Sequence, residues 1–265
     1  MSTPVRASDQ DLRALARIVS EDRPDLPDGE GLPPSLLADL MGQIRCDQVA
    51  FLGMDSGRHA HWFWQEDPLV DEGEDLHAAL KQAYWTHYWD SRFCSYPSRT
   101  GDLRSIIKIT DFYSTRQWHS SAMYTGHERL TGAEHCLMLC LPEAPPRAAG
   151  SGRHVRMYFS RGPGPDFSER DRALLMLLRP HLGQAYLDAE RRRHPVPRLT
   201  SRQQELLRLV AAGHTNTQIA RRLGISEGTV RTHLENIYTR LNVSSRTAAV
   251  TRAFAGRAGA TTRHR

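Results

Sequence analysis

At 265 residues the chain is long enough for two domains, and its 39% content of apolar residues suits a folded core but not a membrane protein. No apolar run approaches the roughly 18–20 residues that span a bilayer, and the polar amino terminus lacks the apolar segment of a signal peptide. We therefore expect a cytoplasmic protein with no membrane partner. Residues 191–265 hold 15 Arg, no Lys and 3 acidic residues, a net charge of +12, whereas residues 1–190 carry −7. The basic segment suits a polyanion partner.

The amino-terminal part of the chain shows helical and strand patterns in turn. Ser8 is a predicted N-cap, and the helix that it opens has Leu12, Leu15, Ala16 and Val19 on its apolar face. Further predicted elements are a helix at 35–44, strands at 47–55 and 59–67 that form a hairpin, and a helix at 74–89.

A polar loop at 95–102 separates these elements from the next group. This group comprises a strand at 103–109, an irregular helical region at 111–124, strands at 134–142 and 153–161, and a helix from Ser168 to Asp188. Pro180 is expected to kink or stop the last helix. The order predicts an α+β domain, one antiparallel sheet with helices packed against one side.

Nothing in the sequence predicts an enzyme, a metal site or a bound cofactor. It contains no nucleophile elbow, no phosphate loop and no His pair at metal spacing. Cys46, Cys94, Cys136 and Cys140 are expected to be reduced thiols, since three of them lie in or beside apolar runs. Cys136 and Cys140 would face the same side of a strand, which leaves a redox or metal role as the alternative.

The basic segment begins with a linker and continues with four predicted helices. Residues 191–198 combine a charge run with two prolines. Thr200 with Gln203, and Thr215 with Gln218, match capping boxes at the starts of two helices. A third helix begins after the N-cap Ser226, and a fourth runs from 244 or 245 to about 255.

The third of these helices has two different faces. Its apolar stripe consists of Val230, Leu234, Ile237 and Leu241, at steps of four, three and four. Its polar face offers donors and acceptors that complement base edges in a major groove. The alternative is the solvated face of an ordinary core helix. The polar face consists of Thr229, Arg231, Thr232 and Glu235.

The segment LTSRQQELLRLVAAGHTNTQIARRLGISEGTVRTHLENIYTRLNVSSRTAAV, residues 199–250, resembles the DNA-binding domain of LuxR/GerE transcription regulators. The resemblance implies a four-helix, helix-turn-helix domain at 199–256, whose third helix lies in the major groove and whose fourth helps two copies pair. It also implies a palindromic double-stranded operator and a homodimer. The DNA-binding residues expected from it are Asn216, Thr217, Ser226, Thr229, Arg231, Thr232, Glu235 and Arg240. Residues 257–265 are expected to be a flexible tail.

Residues 1–190 resemble GAF/PAS-type sensor domains in the order of their elements, including the autoinducer-binding domain of LuxR proteins. All five Trp lie between residues 62 and 118, and aromatic rings could line an apolar pocket for a small ligand, of which an acyl-homoserine lactone is one candidate. The alternatives are an aromatic core and a domain that only dimerises or binds proteins. The expected ligand-binding residues are Trp64, Trp85, Tyr88, Trp89 and Trp118.

Overall fold

The computed structural model describes residues 8–27, 29–67, 74–142, 152–193, 199–241, 243 and 245–254. Contacts divide the chain into two compact units, Met1–Glu190 and Arg191–Arg265. The first combines an antiparallel sheet with helices, and the second is helical, which confirms the predicted fold class. Within the described ranges, no helix is long and apolar enough to cross a membrane.

The amino-terminal unit is built on one five-stranded sheet. Its strands are β1 (Gln48–Asp55), β2 (Ala60–Asp67), β3 (Ile107–Lys108), β4 (His135–Leu141) and β5 (Arg153–Arg161). Its helices are α1 (Asp9–Ser20), α2 (Pro34–Ile44), α3 (Glu74–His87), α4 (Arg92–Thr100), α5 (Thr115–His119), α6 (Arg129–Thr131) and α7 (Glu169–Arg193). A 3₁₀ turn at Ile109–Asp111 and a π-helical turn at Tyr124–Glu128 complete the irregular region.

The sheet is covered by helices on both faces. The strand order is β2-β1-β5-β4-β3, and all neighbours are antiparallel. Successive side chains of a strand point to opposite faces, and in β1 both sets are apolar. Val49 and Phe51 pack in one core, whereas Ala50, Leu52 and Met54 pack in another. The expectation that helices cover only one side was wrong, because a strand apolar on both faces must be covered twice.

Each face has its own core. The first core lies under α1, α2 and α7 and contains Phe51, Phe159 and Tyr186. The second core lies under α3, α4 and the irregular region and contains Leu52, Tyr84 and Met138. The predicted hairpin of β1 and β2 is present, with an irregularity after Gly53, where a Cβ atom would meet the Trp62 ring at 2.2 Å. Gly53 therefore allows the Trp62 indole to approach the strand closely.

Helix α1 starts where predicted but buries a different face. Ser8 caps it and forms a capping box with Asp11. Leu12 and Val19, expected to face inward, are 50% and 41% exposed, whereas Asp11 is buried. The helix is turned so that the Asp11 carboxylate accepts hydrogen bonds from the guanidinium of Arg170 on α7. The buried face thus combines Asp11 with Leu15, which was expected there, and with Ile18.

Two of the described helices contain an internal proline: the predicted loop at 95–102 was wrong, and the alternative that Pro180 stops its helix is excluded, whereas a kink there stays a prediction. The expected polar loop at 95–102 largely forms α4, which contains Pro97, is capped by Ser91 and ends at Gly101 with φ of 72°. Burial of Phe93 and Cys94 together with these caps offsets the helix-breaking effect of the proline. Helix α7 likewise continues through Pro180 to Arg193.

The carboxy-terminal unit is formed by four helices among its described residues. Both predicted capping boxes, Thr200 with Gln203 and Thr215 with Gln218, are present. Gly224, with φ of 65°, ends the second of these helices and makes the tight turn to the third. The four helices are α8 (Ser201–Ala211), α9 (Asn216–Leu223), α10 (Glu227–Leu241) and α11 (Arg246–Phe254).

The predicted linker and tail fall only partly within the described residues. Residues 191–193, assigned to the linker from sequence, continue α7 as helix. Residues 194–198 and 257–265 lie outside the described ranges.

The contact between Asp11 and Arg170 predicts a pH-dependent contribution to stability. The hydrogen bond from Arg170 is the main cause that lowers the pKa of Asp11 from 3.8 to about 2. A carboxylate whose pKa is lower in the folded state stabilises the fold above its unfolded pKa and loses this effect as pH falls through the folded pKa. Asp11→Asn should therefore lower the free energy of unfolding at pH 7 by about 1 kcal/mol, measured by urea denaturation.

The difference between wild type and variant should shrink between pH 4 and pH 2, as the wild-type carboxylate takes up a proton. Asp9→Asn, at an exposed position in the first turn of the same helix, is the matched control. An equal loss for both variants would attribute the effect to the helix dipole and contradict a specific role for the Arg170 contact.

Candidate nucleic-acid interface and ligand cavity

Helix α10 buries its apolar stripe and exposes its polar face. Val230, Leu234, Ile237 and Leu241 are all buried in the core of the carboxy-terminal unit, as the spacing predicts. Burial of this stripe fixes the rotation of the helix about its axis, so its opposite face points to solvent. The residues exposed there include Thr229, Arg231, Thr232, Glu235 and Arg240.

The start of α10 is held by hydrogen bonds that use several of the predicted contact residues. The Ser226 hydroxyl oxygen accepts a hydrogen bond from the Thr229 backbone N–H at 3.0 Å, and the two hydroxyl oxygens lie 2.8 Å apart. The Thr217 hydroxyl donates to the Glu227 carboxylate at 3.1 Å, which joins α9 to α10. The Ser226 contacts thus cap α10, and the Thr217 contact ties its first turn to α9.

Asn216 has a partner that the sequence did not indicate. Its side-chain oxygen accepts a hydrogen bond from Arg246 Nη1 at 3.0 Å, and the same guanidinium donates to the His214 carbonyl oxygen. Arg246 therefore connects α11 to the start of α9. Its separation of 30 residues from Asn216 explains why no local pattern could reveal it.

A cavity of about 520 Å³ lies on the second face of the sheet. Its volume is within the range of about 300–1,000 Å³ that is usual for small-molecule sites. Helix α3, the irregular region and strands β1, β2, β4 and β5 supply its wall. Apolar and aromatic lining residues include Ala50, Leu52, Trp64, Leu80, Tyr84 and Tyr158, and polar ones include Gln48, His61, Glu66, Lys81 and Glu128.

Only Trp64 of the five predicted ligand-binding residues lines this cavity. Trp118 is 2% exposed and packs against Tyr113 and Tyr124, so it is a core residue. Trp89 is 38% exposed, and its indole N–H donates to His59 at 3.3 Å. The expectation that these rings form one pocket is thus corrected.

The remaining two predicted residues are also engaged elsewhere. The ring of Trp85 stacks on His59 with a centroid distance of 5.4 Å. The hydroxyl of Tyr88 lies 2.6 Å from Ser98 Oγ and accepts a hydrogen bond from Arg156 Nη2 at 2.8 Å. Tyr84, Trp85 and Tyr88 all pack in the second core. Of these three residues, only Tyr84 lines the cavity.

Two phenols and a buried arginine form a polar group at the cavity wall. The hydroxyl oxygens of Tyr84 and Tyr158 lie 3.2 Å apart. Arg156 is fully buried, and its Nη1 donates to the Tyr158 hydroxyl at 3.1 Å. Burial is the main cause that raises the pKa of both phenols, so they remain protonated donors. A charged residue in the middle of an apolar strand, HVRMYF, was the signal in the sequence that could have indicated this site.

His61 adds a neutral imidazole to the same wall. Burial lowers its pKa from 6.5 to about 4, and its Nε2 is buried without a hydrogen-bond partner among the described residues. At neutral pH the ring is uncharged and packs against Trp64 and Tyr84. Across the described part of the chain, no cluster of three or more His, Cys, Asp or Glu is placed to hold a metal ion, and the four Cys are buried free thiols.

Comparison with known proteins bears mainly on the carboxy-terminal unit. The probable transcriptional regulatory protein SgaR of Hyphomicrobium methylovorum is 46% identical over 79 residues, 29% of this chain and 37% of SgaR. The putative HTH-type transcriptional regulator y4qH of Sinorhizobium fredii is 27% identical over 219 residues, 81% of this chain and 58% of y4qH. The chain thus spans less than two thirds of the length of each of these relatives.

Solved structures show where the whole fold recurs. A crystal structure of Escherichia coli SdiA superposes with a TM-score of 0.52 at 16% identity, over 93% of this chain and 96% of SdiA. SdiA in complex with octanoyl-rac-glycerol gives a TM-score of 0.53 at 16% identity, over 95% and 97% of the two chains. At this identity the likeness shows a shared fold.

The family model described as bacterial regulatory proteins, luxR family, matches residues 197–253. This range contains the capped helices α8 and α9, the exposed polar face of α10, and most of α11. Residues 197–253 therefore belong to the luxR family of bacterial regulatory proteins and form its helix-turn-helix domain.

Proposed function

We propose that this protein is a sequence-specific DNA-binding regulator of transcription that acts in the cytoplasm as a homodimer. The observation that carries this proposal is the face of α10, where Arg231, Thr232 and Glu235 are exposed opposite a fully buried apolar stripe. Arg can pair with guanine, Glu can accept from cytosine, and Thr can contact a thymine methyl group. The role is binding and not catalysis, in keeping with the relatives, which are named as transcriptional regulators.

Phosphate contacts would supply most of the affinity. The +12 charge of residues 191–265 favours a polyanion. Arg240 and the first residues of α9 would contact phosphates on either side of the bases that α10 reads. Hydrogen bonds already made by Thr217 and Asn216 within the protein would hold their backbone N–H groups in place for phosphate.

We further propose that a small ligand in the cavity controls the regulator. The cavity of about 520 Å³ supports this over the alternative, a domain filled with aromatic side chains that only mediates interactions. SdiA, which shares the fold, is described in complex with octanoyl-rac-glycerol, an acyl compound with a polar head. A ligand would act by favouring the dimer geometry in which both recognition helices match the operator.

Dimeric binding predicts a palindromic operator. Selection of bound sequences from a random DNA pool by the full-length protein, at one fixed salt concentration, should enrich two inverted half-sites. Their centres should lie about 34–36 Å apart, one helical turn of DNA, because both recognition helices must reach the same side of the duplex. Enrichment of a single asymmetric site would contradict binding as a symmetric dimer.

A second prediction separates base reading from phosphate binding. Arg231→Ala should cost roughly 1–3 kcal/mol on the selected operator and relax the preference at one base position, since a bidentate pair to one base is lost. Fluorescence anisotropy with the operator and its single-base variants would measure both effects. Arg240→Ala, on the same helix, is the comparison variant and should weaken all sequences alike and reduce the salt dependence. A uniform loss for Arg231→Ala would mean that this residue contacts phosphate instead of a base.

A third prediction tests whether the cavity admits small molecules. The uncharged fluorescent probe N-phenyl-1-naphthylamine should bind the full-length protein saturably at one site. Leu80→Trp should weaken this binding at least about fivefold, because Leu80 lines the cavity and a larger ring would occupy it. Leu177→Trp, at an exposed position of α7, is the matched control. Equal binding to both variants and the wild type would place the probe outside the cavity.

A further inference from the structure

Arg156 is a buried cation that has no counter-ion among the described residues. It is 0% exposed, and its four polar contacts are the Cys94 carbonyl oxygen at 2.7 Å, the hydroxyls of Tyr158 and Tyr88 at 3.1 and 2.8 Å, and Ser98 Oγ at 3.5 Å. All of these acceptors are uncharged. No carboxylate of the described residues forms an ion pair with Arg156, and its Nε is buried without a hydrogen-bond partner.

Such an arrangement is costly for a purely structural residue. A charge removed from water costs free energy unless it is paired, and neutral acceptors compensate only part of that cost. The contact with the Cys94 carbonyl ties β5 to α4, but an uncharged donor could make the same bond. A negative group brought close to the guanidinium by a ligand would recover electrostatic free energy that the protein alone leaves unused.

The two phenols connect Arg156 to the cavity. Tyr158 accepts a hydrogen bond from Arg156, and it shares one hydrogen bond with Tyr84. Whichever phenol donates in that bond, the hydroxyl proton of the other phenol is not used in it. The only further acceptor near these two protons among the described residues is the sulfur of Met54, which lies 3.9 Å from the Tyr84 hydroxyl and is a weak acceptor. Tyr84 and Tyr158 both line the cavity, so one phenolic proton is available to an acceptor oxygen inside it.

Acidic residues at another part of the wall set the orientation of an anion. Glu66 and Tyr158 are register partners of Ala50 on its two sides, which separates them by two interstrand spacings, about 10 Å. Glu66 accepts from Gln48 at 3.2 Å, and Glu128 also lines the cavity. An anionic group would be repelled by these carboxylates and attracted toward Lys81, which also lines the cavity, and toward the phenols in front of Arg156.

We propose that the cavity binds an apolar molecule with one carboxylate, which accepts a hydrogen bond from the Tyr84–Tyr158 pair and faces the Arg156 charge. This rests on the proposed function in that the cavity is taken as a ligand site, and it adds the chemical class of the ligand. Arg156 is a positioning residue that acts through Tyr158. The apolar part of the ligand lies against Leu52 and Leu80.

Three ten-carbon probes with different head groups test this inference on the full-length protein by isothermal titration calorimetry. Decanoate should bind roughly tenfold more tightly than decan-1-ol, because a hydrogen bond to a charged acceptor is stronger than one to a neutral hydroxyl. Decylammonium offers no acceptor to the phenols and would be attracted to Glu66 and Glu128 instead, so its affinity should not depend on Tyr84 or Tyr158.

Tyr84→Phe and Tyr158→Phe should each reduce the preference for decanoate over decan-1-ol severalfold while leaving decan-1-ol binding nearly unchanged. Tyr186→Phe is the matched control, because this buried phenol lies in the first core on the opposite face of the sheet. It should leave the preference as in the wild type even if it lowers stability. Arg156→Met should abolish the preference, and the two phenol variants keep the test decisive if Arg156→Met does not fold.

Two results would overturn the inference. If decan-1-ol binds as tightly as decanoate, or if Tyr84→Phe and Tyr158→Phe weaken decylammonium as much as decanoate, the cavity accepts a ligand but not on the basis of a carboxylate, and the proposed ligand control stands. If no probe binds while the protein still selects an operator, both the carboxylate site and ligand control fail, and DNA-binding regulation remains.

Discussion

Burial of the central strands on both faces is the constraint on which the amino-terminal unit depends. Side chains of β1 and β4 that point to opposite faces are both apolar, and β5 buries Val155, Met157 and Phe159 on one face and Arg156 on the other, so each face needs its own layer of helices. The layer of α1, α2 and α7 covers one face. The layer of α3, α4 and the irregular region covers the other face with tyrosine and tryptophan, whose large flat rings leave the cavity between helix and sheet.

The sequence predicted elements best where local chemistry determines them. The capping boxes at Thr200 and Thr215 and the cap at Ser8 are present, and the stripe from Val230 to Leu241 is buried. Prediction failed where a contact distant in sequence competes with local preference. The contact of Arg170 with Asp11 lies on the buried face of α1, where Leu12 and Val19 were expected, and tertiary burial of Phe93 keeps α4 helical around a proline. Neither effect is visible within a window of one helix.

The candidate sites differ in how far the sequence revealed them. The proposed base-reading face lies on one helix, so the helical period of the sequence is enough to assign Arg231 to the exposed face and Val230 to the buried one. The cavity is assembled from four strands, helix α3 and the irregular region. The tryptophan-rich segment predicted ligand-binding rings, most of which in fact fill the core. Trp118 and Tyr88 are buried there, whereas Tyr158, on a strand that the sequence located correctly, reaches the cavity. Which rings line a cavity depends on strand register, which no local pattern specifies.

Arginine has two different energetic roles in the two units. Arg231 is exposed, so in the proposed complex it would lose side-chain entropy on binding DNA, and contacts to phosphates would contribute through the release of counterions. Arg156 is already ordered by Cys94, Tyr88 and Tyr158, so a ligand would meet a preorganised positive site shielded from salt. The exposed Arg231 is suited to DNA, a charged polymer along which a protein searches for its site. The buried residue is suited to a small molecule selected by its head group, and on the proposed function this difference in burial would let one chain recognise two anions by separate physical means.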